Sequence, residues 1–461
     1  MNFLQIFGTV QGMKPNRLLE GSVLKSIFAI SIPIIFANTL QTVYQLIDTF
    51  WVGRLGESAV AAVSLGFPIL FFLISLALGF AMAGSILIAQ YNGKGDKETV
   101  SLVTGQTFSI VLILALIVTV VGYKISYFLL SYLTHDPLVL SQAVDYLQIS
   151  FLAIPGMFLY TIFQSALRGV GKVKFPMFLV LGTVLLNFFL DPIFMFGWRF
   201  IPPLGVSGVA WATLITEYLS AIVGIGAMIH GGFGVKLRFS ALRIRREWFR
   251  KIVHLGVPSS LEHSSRAFGM FLMTFLVSTF GTTIVAAYGV GTRILSFVII
   301  PAIGFSIATS ALVGNNLGAK QYERVEKIVK TGIKVGFISL SFVGLFLFLF
   351  AHAIAQFFVP NAPELVTYAT YFIRIMALSF GCIGIQMVVI GTVKAAGQTM
   401  TSMFLAMFHT FSLFVFAYLL STIFHLQEWG IWIAYPTANL LALGLALYFY
   451  FKKDWLDKEL V

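Results

Sequence analysis

Residues 77–100 read ALGFAMAGSILIAQYNGKGDKETV, and residues 302–325 read AIGFSIATSALVGNNLGAKQYERV. The two segments align without a gap at a constant offset of 225, with two glycines and the final valine in register. The same offset extends back to Pro33, which pairs with Pro258, so the alignment covers 68 residues. An offset this constant is hard to produce by chance. The sequence therefore predicts that the chain contains one fold twice.

The composition of the chain indicates whether that fold is soluble or lies in a membrane. Of 461 residues, 58% are hydrophobic and 10% are charged, against about 25% charged in a typical soluble domain. A soluble protein of this length needs more polar surface than these residues supply, which excludes a cytosolic enzyme, a nucleic-acid binder and a disordered protein. Cys382 is the only cysteine, so neither an intramolecular disulfide nor a cysteine metal cluster can form.

Twelve stretches of the chain are long and apolar enough to cross a membrane, since a spanning helix needs about 20 mostly apolar residues. They predict an all-α, polytopic membrane protein. The predicted spans are 25–52, 59–90, 102–130, 140–166, 176–198, 207–229, 253–279, 284–314, 332–357, 365–391, 402–424 and 430–451.

The basic residues of the loops predict the orientation of these spans. With twelve spans, 24 of the 30 Lys and Arg residues fall on the side of the two termini. The positive-inside rule makes that side cytoplasmic, so we expect a multi-pass protein of the cell (inner) membrane with both termini inside. The predicted organisation is a lead-in (1–24), an N-terminal lobe (25–229), a basic cytoplasmic linker (230–251), a C-terminal lobe (252–451) and a tail (452–461).

The repeat also predicts how the chain works. Each half holds six spans, so the halves enter the membrane in the same orientation, as parallel repeats facing a central cavity. This architecture is typical of an alternating-access transporter, and it disfavours a channel or a structural membrane protein. The segment Gly169-Val-Gly171-Lys172 is too short for a phosphate loop and follows no strand, so the sequence does not support nucleotide hydrolysis.

Acidic residues inside spans are costly, and each is therefore a functional candidate. Asp48 and Asp191 lie within the first and fifth spans, and their repeat counterparts are Met273 and Ala417. Asn187 precedes Asp191 by four residues and so shares its helix face. Helix rise places Asn187 ~16 Å and Asp191 ~22 Å above the start of their span. The first half thus carries polar groups that the second half lacks.

Two further residues can reach the same depth, in the outer half of the N-terminal lobe. Tyr44 lies one turn before Asp48, and Thr213 lies ~9 Å below the outer end of the sixth span. Two neighbouring carboxylates in a low dielectric need a shared proton or a bound cation. Carboxylate, amide and hydroxyl oxygens suit a hard cation such as Na⁺, and the same carboxylates can carry H⁺. The alternative is that Asp48 and Asp191 are separate, hydrogen-bonded structural groups.

Other intramembrane polar residues are weaker candidates. Glu262 can pair with Arg266 one turn on, or it can gate the cytoplasmic mouth. Glu217 follows Thr213 by one turn and can face the cavity. Pro33 can kink the first helix, as Pro258 can the seventh. Two further interpretations concern five residues: Arg293 and Arg374 are expected at a gate or an interface, and His254, His263 and His409 are expected to be structural.

These residues together resemble the multidrug and toxic compound extrusion (MATE) family, over about residues 20–451. The resemblance is carried by Ser31-Ile-Pro33, by the segment from Gln41 to Gly53 with Tyr44 and Asp48, by the Arg168-Gly-Val-Gly171 turn, and by Asn187-Phe-Phe-Leu-Asp191-Pro192. Asp48 with Asn187 and Asp191 is similar to the DinF-like branch. That branch keeps its cation-responsive site in the N-terminal half, here at Asp48, Asn187, Asp191 and Thr213, with Pro33 and Tyr44 nearby.

The resemblance implies an antiporter rather than an enzyme. Inward H⁺ or Na⁺ flux would drive export of amphipathic, mostly cationic organic compounds, with no other cofactor. The expected partners are these small solutes and membrane lipid, not nucleic acid, and the expected assembly is a monomer. A lipid-linked precursor flippase of the same superfamily is the alternative. Twelve spans and the intramembrane acids count against it, because flippases often have extra helices and a strongly cationic cavity.

Overall fold

The computed structural model describes residues 16–456 and is almost entirely helical over them. The predicted lead-in falls largely on residues outside this range, as does the end of the predicted tail. A short helical segment, Asn16–Leu19, precedes thirteen longer α-helices. These are α1 (Val23–Gly53), α2 (Glu57–Gly93), α3 (Lys97–Ser131), α4 (Pro137–Gly169), α5 (Lys174–Phe196), α6 (Val206–His230), α7 (Arg246–Ser278), α8 (Thr282–Gly318), α9 (Tyr322–Phe358), α10 (Pro363–Ala377), α11 (Phe380–Ala395), α12 (Thr399–Tyr418) and α13 (Gln427–Lys452).

Ten helices in the described part of the chain are long and apolar enough to cross a membrane. A π-helical turn, Leu419–Ile423, follows α12 directly and extends that span to Ile423. The pair α10 and α11 meets the same criteria together, with a bend of 49° between its two helices, and gives an eleventh span. The remaining long helix, α7, is continuous, but charged side chains between Arg246 and Arg266 interrupt its apolar sequence. The fold class is confirmed, whereas the count of twelve spans stays a prediction.

The helices form two compact units. The N-terminal unit comprises Phe36–Ser260, and the C-terminal unit comprises residues 16–35 and 261–456. Both divisions fall inside a helix, after Ile35 in α1 and after Ser260 in α7. These two positions are 225 residues apart, so the repeat relates them. Each lies two residues after a helix proline, Pro33 or Pro258. The predicted lobes 25–229 and 252–451 stay a prediction.

Glycine at one repeated position, Gly79 and Gly304, allows two helices to pack closely in each unit. In the N-terminal unit a Cβ on Gly79 would lie 2.2 Å from the backbone nitrogen of Ser260. In the C-terminal unit a Cβ on Gly304 would lie 2.3 Å from Cγ1 of Ile35. Both distances are far below van der Waals contact, so only glycine lets these helices pack so tightly. The glycines that revealed the repeat therefore maintain the packing of each unit.

One helix lies at the centre of each unit. In the N-terminal unit α4 packs against α2, α3 and α6. In the C-terminal unit α11 packs against α8 and α9, and α10 packs against α9. The span made by α10 and α11 is the repeat counterpart of α4, so the same span is central in both units. This agreement in packing confirms the repeat that the sequence predicts.

The basic linker after α6 is held against α3 by buried polar side chains. Gln106, fully buried, donates through Nε2 to the carbonyl oxygens of Ala241 (2.7 Å) and Arg243 (2.8 Å). Its Oε1 accepts from the backbone nitrogen of Arg245 at 2.8 Å. Ser109 donates to the Leu242 carbonyl at 2.8 Å. The linker is therefore an ordered part of the N-terminal unit.

Candidate functional site

The polar face of α5 is buried inside the N-terminal unit. Asn187 and Asp191 are both 0% exposed, and Asn187 Nδ2 donates to Asp191 Oδ1 at 3.0 Å. The four-residue spacing places one side chain directly above the other. Pro192 follows within the helix, and its missing N–H leaves the carbonyl four residues earlier without its usual helical donor.

Asp48 of α1 reaches the same place from the neighbouring helix. Its carboxyl group lies beside that of Asp191, within hydrogen-bonding range. Asp48 as a residue is half-buried, and its Oδ1 atom is buried. The structure therefore brings Asp48, Asp191 and Asn187 together, as the sequence predicts.

Tyr44 and Thr213 meet one turn away. The Tyr44 hydroxyl donates to Thr213 Oγ1 at 3.2 Å, and it lies 3.1 Å from Thr216 Oγ1. Thr216 is buried, and it also donates to backbone carbonyls of its own helix. Sequence reasoning missed Thr216, although its spacing of three residues from Thr213 puts it on the same face of α6.

Four buried oxygen atoms in this region have no hydrogen-bond partner. They come from α1, α5 and α6, and they are Asp48 Oδ1, Asp191 Oδ2, Asn187 Oδ1 and Glu217 Oε2. An unsatisfied buried polar atom costs about 1–3 kcal/mol, and more when it is charged. Hard cations bind oxygen ligands of these types, and a proton on one carboxyl would turn an acceptor into a donor. The region, called the oxygen cluster below, therefore fits H⁺ or Na⁺.

Glu217 lies at the edge of the oxygen cluster. It is close enough to interact electrostatically with Asp48 and with Tyr44. Within residues 16–456, no three His, Cys, Asp or Glu side chains form a metal-binding group. Glu217 thus adds negative charge near Asp48 without completing a three-carboxylate site.

Pro33 lies outside the oxygen cluster. It is buried within α1, fifteen residues before Asp48, and it belongs to the C-terminal unit. Pro33 and Asp48 are carried by the same helix, α1.

Glu262 occupies a different environment, inside the C-terminal unit. Its Oε1 accepts from Lys394 Nζ at 2.8 Å, and its Oε2 accepts from Ser402 Oγ at 2.9 Å. Arg266 Nη2 lies farther away, at 3.5 Å. The predicted pair with Arg266 is present at 3.5 Å, and Lys394 is a second, closer partner; the gate stays a prediction. The predicted tenth span ends at residue 391 and so leaves Lys394 in the following loop, but α11 extends to Ala395 and buries the side chain.

The other candidates have ordinary contacts. Arg293 is exposed on α8. Arg374 donates to the Phe348 carbonyl at 3.4 Å, with its guanidinium over the Phe348 ring. His409 Nε2 lies 2.9 Å from Asn439 Oδ1. Through these contacts, Arg374 and His409 contribute to packing within the C-terminal unit.

Two repeated units of spanning helices, one of which holds buried carboxyl oxygens without hydrogen-bond partners, are the architecture of a multi-pass membrane transporter. Residues 33–193 and 258–419 match the MatE family model, one match in each half of the chain. The chain belongs to the MATE family. Members of this family are transporters rather than enzymes, as the sequence predicts. The assignment to the DinF-like branch stays a prediction.

Individual relatives are similar over almost the whole chain. The probable multidrug resistance protein YoeA of Bacillus subtilis (strain 168) is 29% identical over 95% of this chain and 96% of its own. An FAD transporter of Shewanella oneidensis MR-1 is 24% identical, over 94% and 95%. A solved outward-facing multidrug resistance MATE transporter of the MOP superfamily is 26% identical. It has a TM-score of 0.89 and covers 97% of this chain and 100% of its own.

Proposed function

We propose that this protein is a cation-coupled antiporter, which uses inward H⁺ or Na⁺ flux to export small amphipathic organic compounds by alternating access. The observation that carries the proposal is the oxygen cluster, with four buried acceptors that no protein group satisfies. The coupling ion is a transported species in this scheme, not a resident cofactor.

The chemistry of the cluster explains how an ion would be coupled. Two adjacent carboxylates repel each other strongly in a low dielectric, so a proton or Na⁺ at Asp48 and Asp191 lowers their energy. An organic cation can relieve the same repulsion. One negative site thus serves two positive species in turn, and binding of the ion displaces the substrate. Asn187 holds one oxygen of Asp191, and Tyr44 and Thr213 hydrogen-bond to each other one turn away.

Helix α1 connects the cluster to the rest of the transporter. It carries Asp48 in the N-terminal unit and Pro33 in the C-terminal unit. A proline inside a helix removes one hydrogen bond and permits bending. We propose that ion binding at Asp48 bends α1 near Pro33 and so reduces the space or the charge that is available to the substrate.

The class of substrate follows from the relatives and the site together. Proteins named for multidrug resistance and for FAD transport are both similar to this chain. The acidic cluster favours amphipathic and mostly cationic compounds. Placement in the cell (inner) membrane, with cytoplasmic termini and a monomeric assembly, completes the proposal. A lipid-linked precursor flippase is disfavoured, since the multidrug relatives match the whole chain.

The test is drug efflux from proteoliposomes with a pH gradient and a Na⁺ gradient applied separately. The wild type should move an organic cation under at least one gradient, and Asp48→Asn should lose that movement. Asp145→Asn removes an exposed acid from α4 and should leave transport unchanged. Full gradient-driven efflux by Asp48→Asn would refute the role of the cluster. If neither gradient moves any organic cation, the flippase becomes the better explanation.

A further inference from the structure

The C-terminal unit contains a cavity of about 190 Å³ among α7, α8, α10, α11, α12 and α13. The repeat makes this cavity the counterpart of the oxygen cluster. Among its lining residues, Gly269 corresponds to Tyr44, Met273 to Asp48 and Leu413 to Asn187. At the offset that pairs Gly208 with Gly430, Tyr435 corresponds to Thr213 and Asn439 to Glu217. The two units thus have equivalent positions with different side chains: acidic residues in the N-terminal unit are replaced by uncharged ones in the C-terminal unit.

The charge at this cavity is positive. No residue lining it is acidic, and Arg266 lies at its wall. Glu262 is the carboxylate that pairs with Arg266. Its Oε1 lies 2.8 Å from Lys394 Nζ but 3.5 Å from Arg266 Nη2, so Lys394 is the closer partner. Within residues 16–456, no second carboxylate pairs with either cation. One carboxylate therefore serves two cations, Lys394 and the more distant Arg266, whose side chain is 30% exposed. The cations outnumber the carboxylate by one at this wall, and excess charge within a membrane protein is costly.

Several other polar groups of the cavity already have partners. His409 lies 2.9 Å from Asn439 Oδ1, and Gln386 donates to the Asn439 carbonyl at 2.6 Å. Tyr435 donates to Tyr288 at 3.0 Å. Arg266 Nη2 reaches Glu262 Oε1 at 3.5 Å and the Met387 sulfur, a weak acceptor, at 3.7 Å. A guanidinium has five N–H donors, so Arg266 has further donors to offer a ligand.

The rest of the wall is apolar and adaptable. Met270, Met273, Met376 and Met387 line it together with Phe380. Methionine side chains adjust their shape and make favourable contacts with aromatic rings. An engineered apolar cavity of about 150 Å³ takes up benzene, so this cavity suits a ligand of about one ring with a small charged group.

We propose that this cavity binds a compact amphipathic monoanion, namely a single-ring or short-chain carboxylate. The carboxylate accepts hydrogen bonds from Arg266, and the apolar body lies against the methionines. Arg is suited to this role because its planar donors match a carboxylate. The site is separate from the cation cluster of the N-terminal unit, and it gives the two repeats ligands of opposite charge.

The test measures binding of three probes of similar shape to the full-length protein in nanodiscs, by saturation-transfer NMR with empty nanodiscs as background. The probes are benzoate, benzyl alcohol and benzylammonium. Benzoate should bind best. Loss of one charge-assisted hydrogen bond costs enough to weaken binding by ~10-fold or more, so Arg266→Gln should weaken benzoate binding by that factor and leave benzyl alcohol unchanged. Arg293→Gln, which removes an exposed cation of the same unit, should change neither.

Two further variants protect the result against misfolding. Ala442→Phe fills the cavity without changing any charge and should abolish binding of benzoate and benzyl alcohol alike. Arg266→Lys keeps the charge and should retain part of the benzoate affinity. Both are compared with the wild type by size-exclusion profile.

Several results would overturn the proposal. Equal binding of benzoate and benzyl alcohol, or unchanged benzoate binding in Arg266→Gln, would show that no anion site exists. Preference for benzylammonium would make the cavity a cation site. Palmitate carries the same carboxylate on a long chain and should not compete. Palmitate binding in place of benzoate would reassign the cavity to a membrane lipid.

Discussion

Substitution of Glu262 by Gln tests whether this buried acid stabilises the C-terminal unit or acts as a gate. Glu262 is 0% exposed, and its Oε1 lies 2.8 Å from Lys394 Nζ. The Lys394 side chain is also buried, with 6% exposed. Gln keeps the shape but removes the charge, so Lys394 would be left buried without a counter-charge. Breaking a buried pair in this way costs roughly 3–5 kcal/mol, because the remaining charge is uncompensated.

A double-mutant cycle separates the pair from the individual residues. Lys394→Met alone should cost less than Glu262→Gln, since Glu262 keeps Ser402 and can move closer to Arg266. In the double variant both charges are gone, so most of the loss should be recovered. The assay is reversible unfolding in mixed micelles, followed by tryptophan fluorescence, for the wild type and the three variants.

Glu326→Gln provides the matched control. Glu326 pairs with Lys330 and Lys453 near the surface, where both lysines are exposed and the Glu326 side chain is 30% exposed. Exposed ion pairs contribute about 0–1 kcal/mol, so this variant should unfold almost as the wild type does. If Glu262→Gln costs no more than Glu326→Gln, the ion pair does not stabilise the unit. A loss of transport at full stability would then favour the gate.

Three further predictions address other parts of the chain. Gly304→Ala should cost about 1–3 kcal/mol through overpacking and should be rescued by Ile35→Ala, whereas Gly79→Ala should not be rescued by Ser260→Ala, because its clash includes backbone. Rescue in both pairs or in neither, measured by thermal stability, would contradict this. Gln106→Ala removes three hydrogen bonds from the linker and should speed its cleavage by trypsin several-fold, at about 0.5–1.5 kcal/mol per bond; an unchanged cleavage rate would show that other contacts hold it. The Thr99 hydroxyl and N–H beside Asp96 lower the pKa of that N-cap carboxyl. Asp96→Ala should therefore cost about 1 kcal/mol at neutral pH, and the difference from the wild type should shrink as the pH falls below about 4; a pH-independent difference would rule out the charge.

The sequence predicts most of the helices because hydropathy and the repeat are local or periodic signals. The first span, predicted as 25–52, is α1 from Val23 to Gly53. The tenth predicted span, 365–391, is broken after Ala377 into α10 and α11. No local signal marks this break, since the apolar run continues across it. The contacts that accompany it are tertiary: a Cβ on Gly381 would meet Ser341 at 2.3 Å and the Phe337 ring at 2.7 Å.

In the candidate site, too, some residues were predictable from the sequence and others were not. Asp48 and Asp191 were predictable because acids inside spans are rare and because their repeat counterparts are apolar. Thr216 was missed because a threonine in a span carries no charge to single it out. Lys394 was misplaced because a lysine at the end of an apolar run resembles a loop charge. Only the structure shows that α11 continues past it and that Glu262 lies opposite.

The repeat gives these residues a common explanation. Arg168 in the N-terminal unit corresponds to Lys394 in the C-terminal unit, but the residue corresponding to Glu262 is Ala37. Arg168 instead donates to the neutral Gln164 at 2.9 Å. In the C-terminal unit the buried acid is therefore fully engaged by Lys394 and Ser402, and it has little capacity left for an incoming cation. In the N-terminal unit the buried acids are Asp48 and Asp191, and their free oxygens have no such partner. A mobile cation gains most where acceptors are unsatisfied, so the coupling site should lie in the N-terminal unit although both units share one fold.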